Sequence, residues 1–286
     1  LPNISGYTGQ YKNVGAINNK GLEISLNADV IRTSKFQWTS DFNIGFNRNR
    51  VTELYGGKPE LKGLKRLEEG RDMDEWYLRE WAGVDPANGS PLWYTTDENG
   101  KRTTTDSYNK ADRVYCGSAA PKFTGGWMNS FSYKGFTLTA NFDFVYGNLL
   151  YNQSRELLDS DGAYADYNSM KLKSGWKRWE KEGDIATHPK AINGGNKNSN
   201  KSSSRYLEKG NYFSLRNLSL GYSIPEKLCG KLGLQQVNVS CSADNLFTLT
   251  PFSGVSPQLS DSSTDGYAGT IYPLSRRIVF GLNVSF

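Results

Sequence analysis

No stretch of this chain approaches the ~18 consecutive apolar residues that a membrane-crossing helix requires. Only 37% of its 286 residues are hydrophobic, and mean hydropathy is -0.62. A helical membrane protein is thereby excluded, and any span must be made of strands. There is one histidine, His188, so a Ser-His-Asp or Cys-His site would have to use it. In Ala186-Thr-His-Pro189 it reads as a solvated loop residue. The three cysteines, Cys116, Cys229 and Cys241, form no Cys-x-x-Cys pair, and their odd number denies a complete disulfide framework. No His-Glu-x-x-His or paired-cysteine motif is present, so no metal or cofactor is expected. The net charge of +5 is spread without a sustained basic block, so nucleic acid is not an expected partner.

Aromatic residues and glycine are plentiful: 17 Tyr, 13 Phe, 7 Trp and 30 Gly. That suits β structure with many turns and interfacial aromatic belts, or a sugar-binding sandwich. In the final segment Ile278, Phe280, Leu282, Val284 and Phe286 are apolar at every second position. Period two is the strand period, with one greasy face. A strand ending on an aromatic carboxy-terminus suits an outer-membrane barrel, where Phe280 and Phe286 would form part of an assembly signal. The same strand could close the edge of a soluble sandwich. A low mean hydropathy fits either, because barrel strands alternate lipid-facing and polar residues. The chain begins at Leu1-Pro2-Asn3 with no signal peptide, so an exported protein would need a preceding segment.

Alternation predicts paired strands over 22–30 and 36–47, over 123–133 and 136–146, and over 212–224 and 237–245, before the last strand at 272–286. Lys134-Gly135 reads as a tight hairpin turn. A phase shift near Arg216-Asn217 predicts a β-bulge. The links at 31–35, 134–135 and 225–233 are short, whereas those at 51–120, 148–205 and 247–271 are long. Such alternation is expected of a barrel with short periplasmic turns and long extracellular loops. Within the loops, Asp97-Glu-Asn-Gly100 predicts a turn in a hairpin over 91–105. Spacing over 168–181 is helix-compatible, with Gly183 as a stop, and 194–204 reads as a mobile polar tract. Segments 75–84 and 92–96 could cross the membrane or form a hairpin above it.

Asp41 and Asp143 fall on polar strand faces, where paired carboxylates could converge for glycoside hydrolysis. Together with Asn43 and Asn141 they read more simply as a hydrated lumen wall. Trp76, Tyr77, Trp81, Trp93 and Tyr94 could stack on a ligand or pack a loop core.

Several segments, in order, resemble one family. They are Asn19-Lys-Gly-Leu-Glu-Ile24, Gly83-Val-Asp-Pro-Ala-Asn-Gly89, Pro121-Lys-Phe-Thr-Gly-Gly126 with Tyr133-Lys-Gly-Phe136, and Trp179-Glu-Lys-Glu-Gly-Asp184 with Pro189-Lys190. Tyr212-Phe-Ser-Leu-Arg-Asn-Leu-Ser-Leu-Gly-Tyr222 follows, then Asn245-Leu-Phe-Thr248 and Thr250-Pro-Phe-Ser-Gly254. The chain resembles the carboxy-terminal portion of SusC/RagA-type TonB-dependent outer-membrane transporters of Bacteroidetes, over nearly all of residues 1–286. The resemblance implies an all-β, antiparallel transmembrane barrel of roughly 22 strands with a plugged lumen. It implies TonB-dependent import of a bulky oligosaccharide or peptide, and no enzyme activity. It implies a SusD-like lipoprotein partner, TonB-ExbB-ExbD acting through an amino-terminal part not in this sequence, and contact with outer-membrane lipid. Ser256-Pro257-Gln258 stands where the family commonly has Asp-Pro-Glu, which removes both charges of that loop. The rival expectation is a secreted carbohydrate-binding β-sandwich, in which Phe136, Leu138, Phe142 and Phe144 would meet a second sheet.

Overall fold

The computed structural model describes residues 15–259, 266–269 and 271–286. Seven strands form one antiparallel sheet, each pairing with the next along the chain. They are β1 (Ala16–Arg32), β2 (Phe36–Glu53), β3 (Phe123–Tyr133), β4 (Phe136–Tyr146), β5 (Tyr212–Ser223), β6 (Gln236–Leu249) and β7 (Arg277–Ser285). The sheet is open among the described residues, with β1 and β7 as its edges. The predicted pairs all form. The last strand starts at Arg277 rather than near Tyr272: Pro273 has no N–H to give a ladder, and just beyond the Asp244–Arg277 pair the facing strand turns to φ +53° at Asn245, whose side chain donates to the Ser275 carbonyl instead.

Register carries the alternation across the whole sheet. One row runs Ile31, Trp38, Phe131, Leu138, Leu220, Cys241, Phe280, one residue per strand. Another runs Asn27, Asp41, Met128, Asn141, Asn217, Asp244, Arg277 on the opposite face. The bulge sits between Leu215 and Asn217, as the phase shift predicts, and it keeps both rows in phase through β5.

Nothing among the described residues covers the apolar face. Phe280 is 80% exposed and Leu26 61%, and Phe136, Leu138 and Leu220 are also exposed. Phe142 and Phe144 are half-buried by rings of the same sheet, Phe142 against Phe213 and Trp127, and Phe144 against Phe42. This overturns the sandwich alternative, which needs a second sheet against those four side chains. The wall is that of an antiparallel membrane barrel. Aromatic rings mark both ends of the apolar band. Phe36, Tyr133, Phe136 and Tyr222 are in register at one end, and Phe46, Phe123 and Tyr146 cluster at the other. Strand β4, from Phe136 to Tyr146, has 11 residues. At ~3.4 Å per residue and a ~40° tilt it spans roughly 26 Å, the height of a barrel's apolar band.

Two polar side chains interrupt this face. Asn129 accepts from the Trp38 indole at 3.0 Å, and Ser40 accepts from the Trp127 indole at 2.9 Å. Pairing matters there because an unsatisfied polar group in hydrocarbon costs several kcal/mol.

The β3–β4 turn is Lys134-Gly135, both with positive φ, which is the type I′ geometry that matches strand twist. The short links 33–35, 134–135 and 224–235 lie at one end of the sheet, and the third holds a helix, Glu226–Lys231. The long links 54–122, 147–211 and 250–276 all leave from the other end and fold together into a cap. Segments 75–84 and 92–96 belong to cap sheets and not to the wall. The expected hairpin is present as Pro91–Thr96 and Arg102–Thr105. Its turn is held by Asp97, whose carboxylate accepts from the N–H groups of Asn99 and Lys101.

Two loop expectations are corrected. Residues 168–181 form no helix. Gly175 takes φ +83°, and the following backbone instead pairs with a neighbouring segment, Trp179 donating to the carbonyl of His188 at 3.0 Å. Residues 194–204 are packed, with Asn196, Ser199 and Ser203 buried, and the Asn196 amide and Ser199 hydroxyl donate to buried acceptors.

Candidate functional site

The polar face of the wall is tied together by its own side chains. Asp41 accepts from Asn27, and Asn43 accepts from the Gly126 N–H at 3.0 Å. Asp143 accepts from the Tyr212 hydroxyl at 3.2 Å and from Arg216 Nε at 3.1 Å. Asp244 accepts from Asn217 at 2.7 Å and from Arg277 at 2.9 Å. Asn141 lies in the same row, between Met128 and Asn217. Strand β3 separates Asp41 from Asp143, and the two are offset by two residues, so strand spacing puts them roughly 12 Å apart. Each has its own partners, and the structure does not bring them together. Phe280 and Phe286 are both exposed on the final strand segment.

The cap has a core of its own. Trp76 is fully buried with Leu78, Ala119, Tyr151 and Tyr206, and its indole donates to the Leu149 carbonyl at 2.9 Å. Trp93 is also fully buried, edge-on to Trp81 and to Tyr108 at 5.7 and 5.5 Å. Neither Trp76 nor Trp93 has a free face to offer a ligand. Tyr77, Trp81 and Tyr94 are only half-buried. Arg66 and Arg102 lie over the rings of Tyr77 and Tyr94 at 4.9 and 3.7 Å, which leaves Trp81 beside an open pocket.

Behind that pocket is a buried ionic network that sequence reading missed. Asp159 accepts from Arg155 at 2.8 Å and Arg205 at 3.2 Å, and lies 3.1 Å from His188 Nε2. Asp161 accepts from Arg178 at 2.6 Å, Arg205 at 3.1 Å and the Ser199 hydroxyl at 2.7 Å. Arg155 also donates to Glu208 at 2.9 Å. Three arginines thus face three carboxylates. Burial works against the charge on Asp159, but the His188 hydrogen bond and the Arg205 and Arg155 charges outweigh it and hold the carboxyl down at about 2. His188 is 2% exposed, which corrects its reading as a solvated loop residue. Its Nδ1 is 2.8 Å from the Thr187 hydroxyl, and its ring lies 4.8 Å from Trp176. The one local signal for this network is the Arg155/Asp159 spacing of four, which places both on one side of a helical turn. The other partners lie 17 to 53 residues away along the chain.

Comparison with known proteins follows this geometry. No family model matches the chain. The TonB-dependent receptor P3 of Formosa agariphila is 29% identical over 322 residues, covering all of this chain and 30% of the relative. The TonB-dependent receptor SusC of Bacteroides thetaiotaomicron is 22% identical over 300 residues, covering 96% of this chain and 27% of the relative. The solved RagAB peptide transporter superposes on the whole chain with a TM-score of 0.83 at 28% identity, using 31% of the solved chain. Over its whole length the chain is similar to the carboxy-terminal part of SusC/RagA-type TonB-dependent receptors. It spans about a third of the length of the curated receptors it matches. The RagAB importer in its "open-open" state matches less closely, with a TM-score of 0.78. The relatives are named as receptors and transporters, not as enzymes.

Proposed function

We propose that this chain is a wall-and-cap segment of a TonB-dependent outer-membrane importer for a bulky nutrient, an oligosaccharide or a peptide. The observation that carries the reading is the seven-strand apolar face left open beside a folded cap on the long-loop end. An exposed patch of that extent on a soluble protein is an aggregation surface, whereas in a bilayer it is the lipid contact. The polar rows on the other face then look into the lumen, with Asp41, Asn43, Asn141 and Asp143 as hydrated wall. The remaining wall strands and the plug come from sequence beyond these residues, in keeping with the share of its relatives that the chain spans. The cap lies at the outer surface, where a SusD-like lipoprotein would close over it, and TonB-ExbB-ExbD would drive transport through the plug.

The test is made on the full-length protein in its native host. We expect it in the outer-membrane fraction, with a folded band that shifts on heating. Uptake of an oligosaccharide or peptide pool should stop on adding a protonophore. Recovery as a monomeric periplasmic or secreted protein would overturn the reading.

A further inference from the structure

The cap contains a cavity of about 350 Å³ lined by loop residues alone, among them Trp81, Trp176, Arg155, Arg205, Lys173 and Lys209. Arg155 and Arg205 are each more than nine-tenths buried. Their terminal nitrogens serve Asp159, Asp161, Glu208 and backbone carbonyls. The Nε–H of each has no protein partner. Both Nε atoms are sealed from solvent, so the two arginines form a fixed positive wall behind the cavity and do not donate to its contents.

The charges point the same way. The three network arginines are matched by three carboxylates. Lys173 and Lys209 form no ion pair among the described residues, so the cavity carries two uncommitted ammonium groups. Lys173 Nζ rests 4.4 Å from the centre of the Trp176 ring, a weak hold that an anion would outcompete. The indoles supply the apolar sides, with Arg155 4.4 Å over Trp176 and Arg205 5.0 Å over Trp81. Cations backed by aromatic rings in so small a volume suit one charged ring rather than an extended backbone.

We propose that this cavity binds an acidic sugar ring, of the uronate class, from the imported ligand. The carboxylate meets Lys173 and Lys209, and the sugar ring packs against the half-exposed indoles of Trp81 and Trp176, whose positions Arg205 and Arg155 fix from behind. The proposal rests on the importer reading and names its substrate class.

The test uses the full-length protein purified in detergent and calorimetric titration with digalacturonate, neutral galactobiose and the dipeptide Glu-Glu. Digalacturonate should bind best, and its affinity should fall at least roughly tenfold in Lys173→Gln/Lys209→Gln, with a similar loss at high salt. Both lysines are exposed, so this variant keeps its fold. Trp176→Ala should weaken sugar binding as well. Unchanged affinity in the double lysine variant would overturn the proposal, as would galactobiose or Glu-Glu binding as tightly as digalacturonate, or no binding at all. Outer-membrane assembly is scored separately by the heat-shifted band. Its failure would sink the importer reading, whereas the titration alone decides the cavity.

Discussion

Replacing Asp159 by Asn tests what holds the cap together. The substitution keeps side-chain volume but removes the charge that faces Arg155, Arg205 and His188. Its amide NH₂ must also face hydrogen-bond donors. Arg155 and Arg205 would remain buried against Asp161 and Glu208 alone, two cations where Arg178 already needs Asp161. Removing one partner of a buried pair costs about 3–5 kcal/mol, because the other charge stays buried and unpaired. The wall does not contribute to this network, so the cost should fall on local opening of the cap and leave the strands intact. At 1.36 kcal/mol per decade, cap opening should rise by roughly 150- to 5,000-fold, up to complete opening. Hydrogen exchange by mass spectrometry on the full-length protein reads this directly in peptides covering 152–162 and 194–207. Protection there should collapse while that of 136–146 stays. Asp143→Asn, on the wall, serves as the control and should leave the cap unchanged. Equal cap protection in wild type and Asp159→Asn would refute the argument.

Three further outcomes are expected. The Asp159 carboxyl titrates at about 2 in the folded cap, below its usual ~3.9, so its contribution is complete above pH ~4 and is lost as pH falls through about 2; cap protection measured against pH should drop across that window and not between pH 5 and 8. Leu138→Arg places a charge on the lipid-facing row and should destabilise the folded barrel by about 2–4 kcal/mol in urea titrations, whereas Thr139→Arg, on the lumen side, should cost much less. Deleting Phe286 from the full-length protein should reduce outer-membrane assembly, read by the heat-shifted band, more than deleting Ser202; equal assembly would show that the final aromatic carries no signal.

The wall was legible because period two and strand register are the same information. Once Phe136, Leu138 and Ala140 alternate with Thr137, Thr139 and Asn141, antiparallel pairing can match them with only one face of β5. Lys134-Gly135 and the bulge at Arg216 are likewise local signals. The cap was much less so. Its hairpin at Asp97 is written in four consecutive residues, but its core is not. Trp76 and Trp93 carry no mark that separates a buried indole from a ligand platform. His188 looked solvated because Asp159 lies 29 residues away and Trp176 comes from another turn of the loop. Polarity over 194–204 suggested mobility, yet Ser199 and Asn196 are polar because a buried carboxylate and two carbonyls need donors there.

The order in which the cap can be completed follows from one contact. Tyr267 places its ring 5.1 Å from Trp76 and accepts a hydrogen bond from the Leu64 N–H, 203 residues earlier in the chain. Gly266 lets it approach, since φ is +92° there and a Cβ would sit 2.4 Å from that of Ala119. Trp76 therefore gains its cover on this side only when the link after β6 folds back onto the link after β2. Until then one side of the cap core is bare, and the contact that covers it closes a very long loop. Loop closure over such a separation makes this seal one of the slower contacts of the cap to form. A chain stalled before Gly266 would present an open, sticky cap to whatever chaperones it.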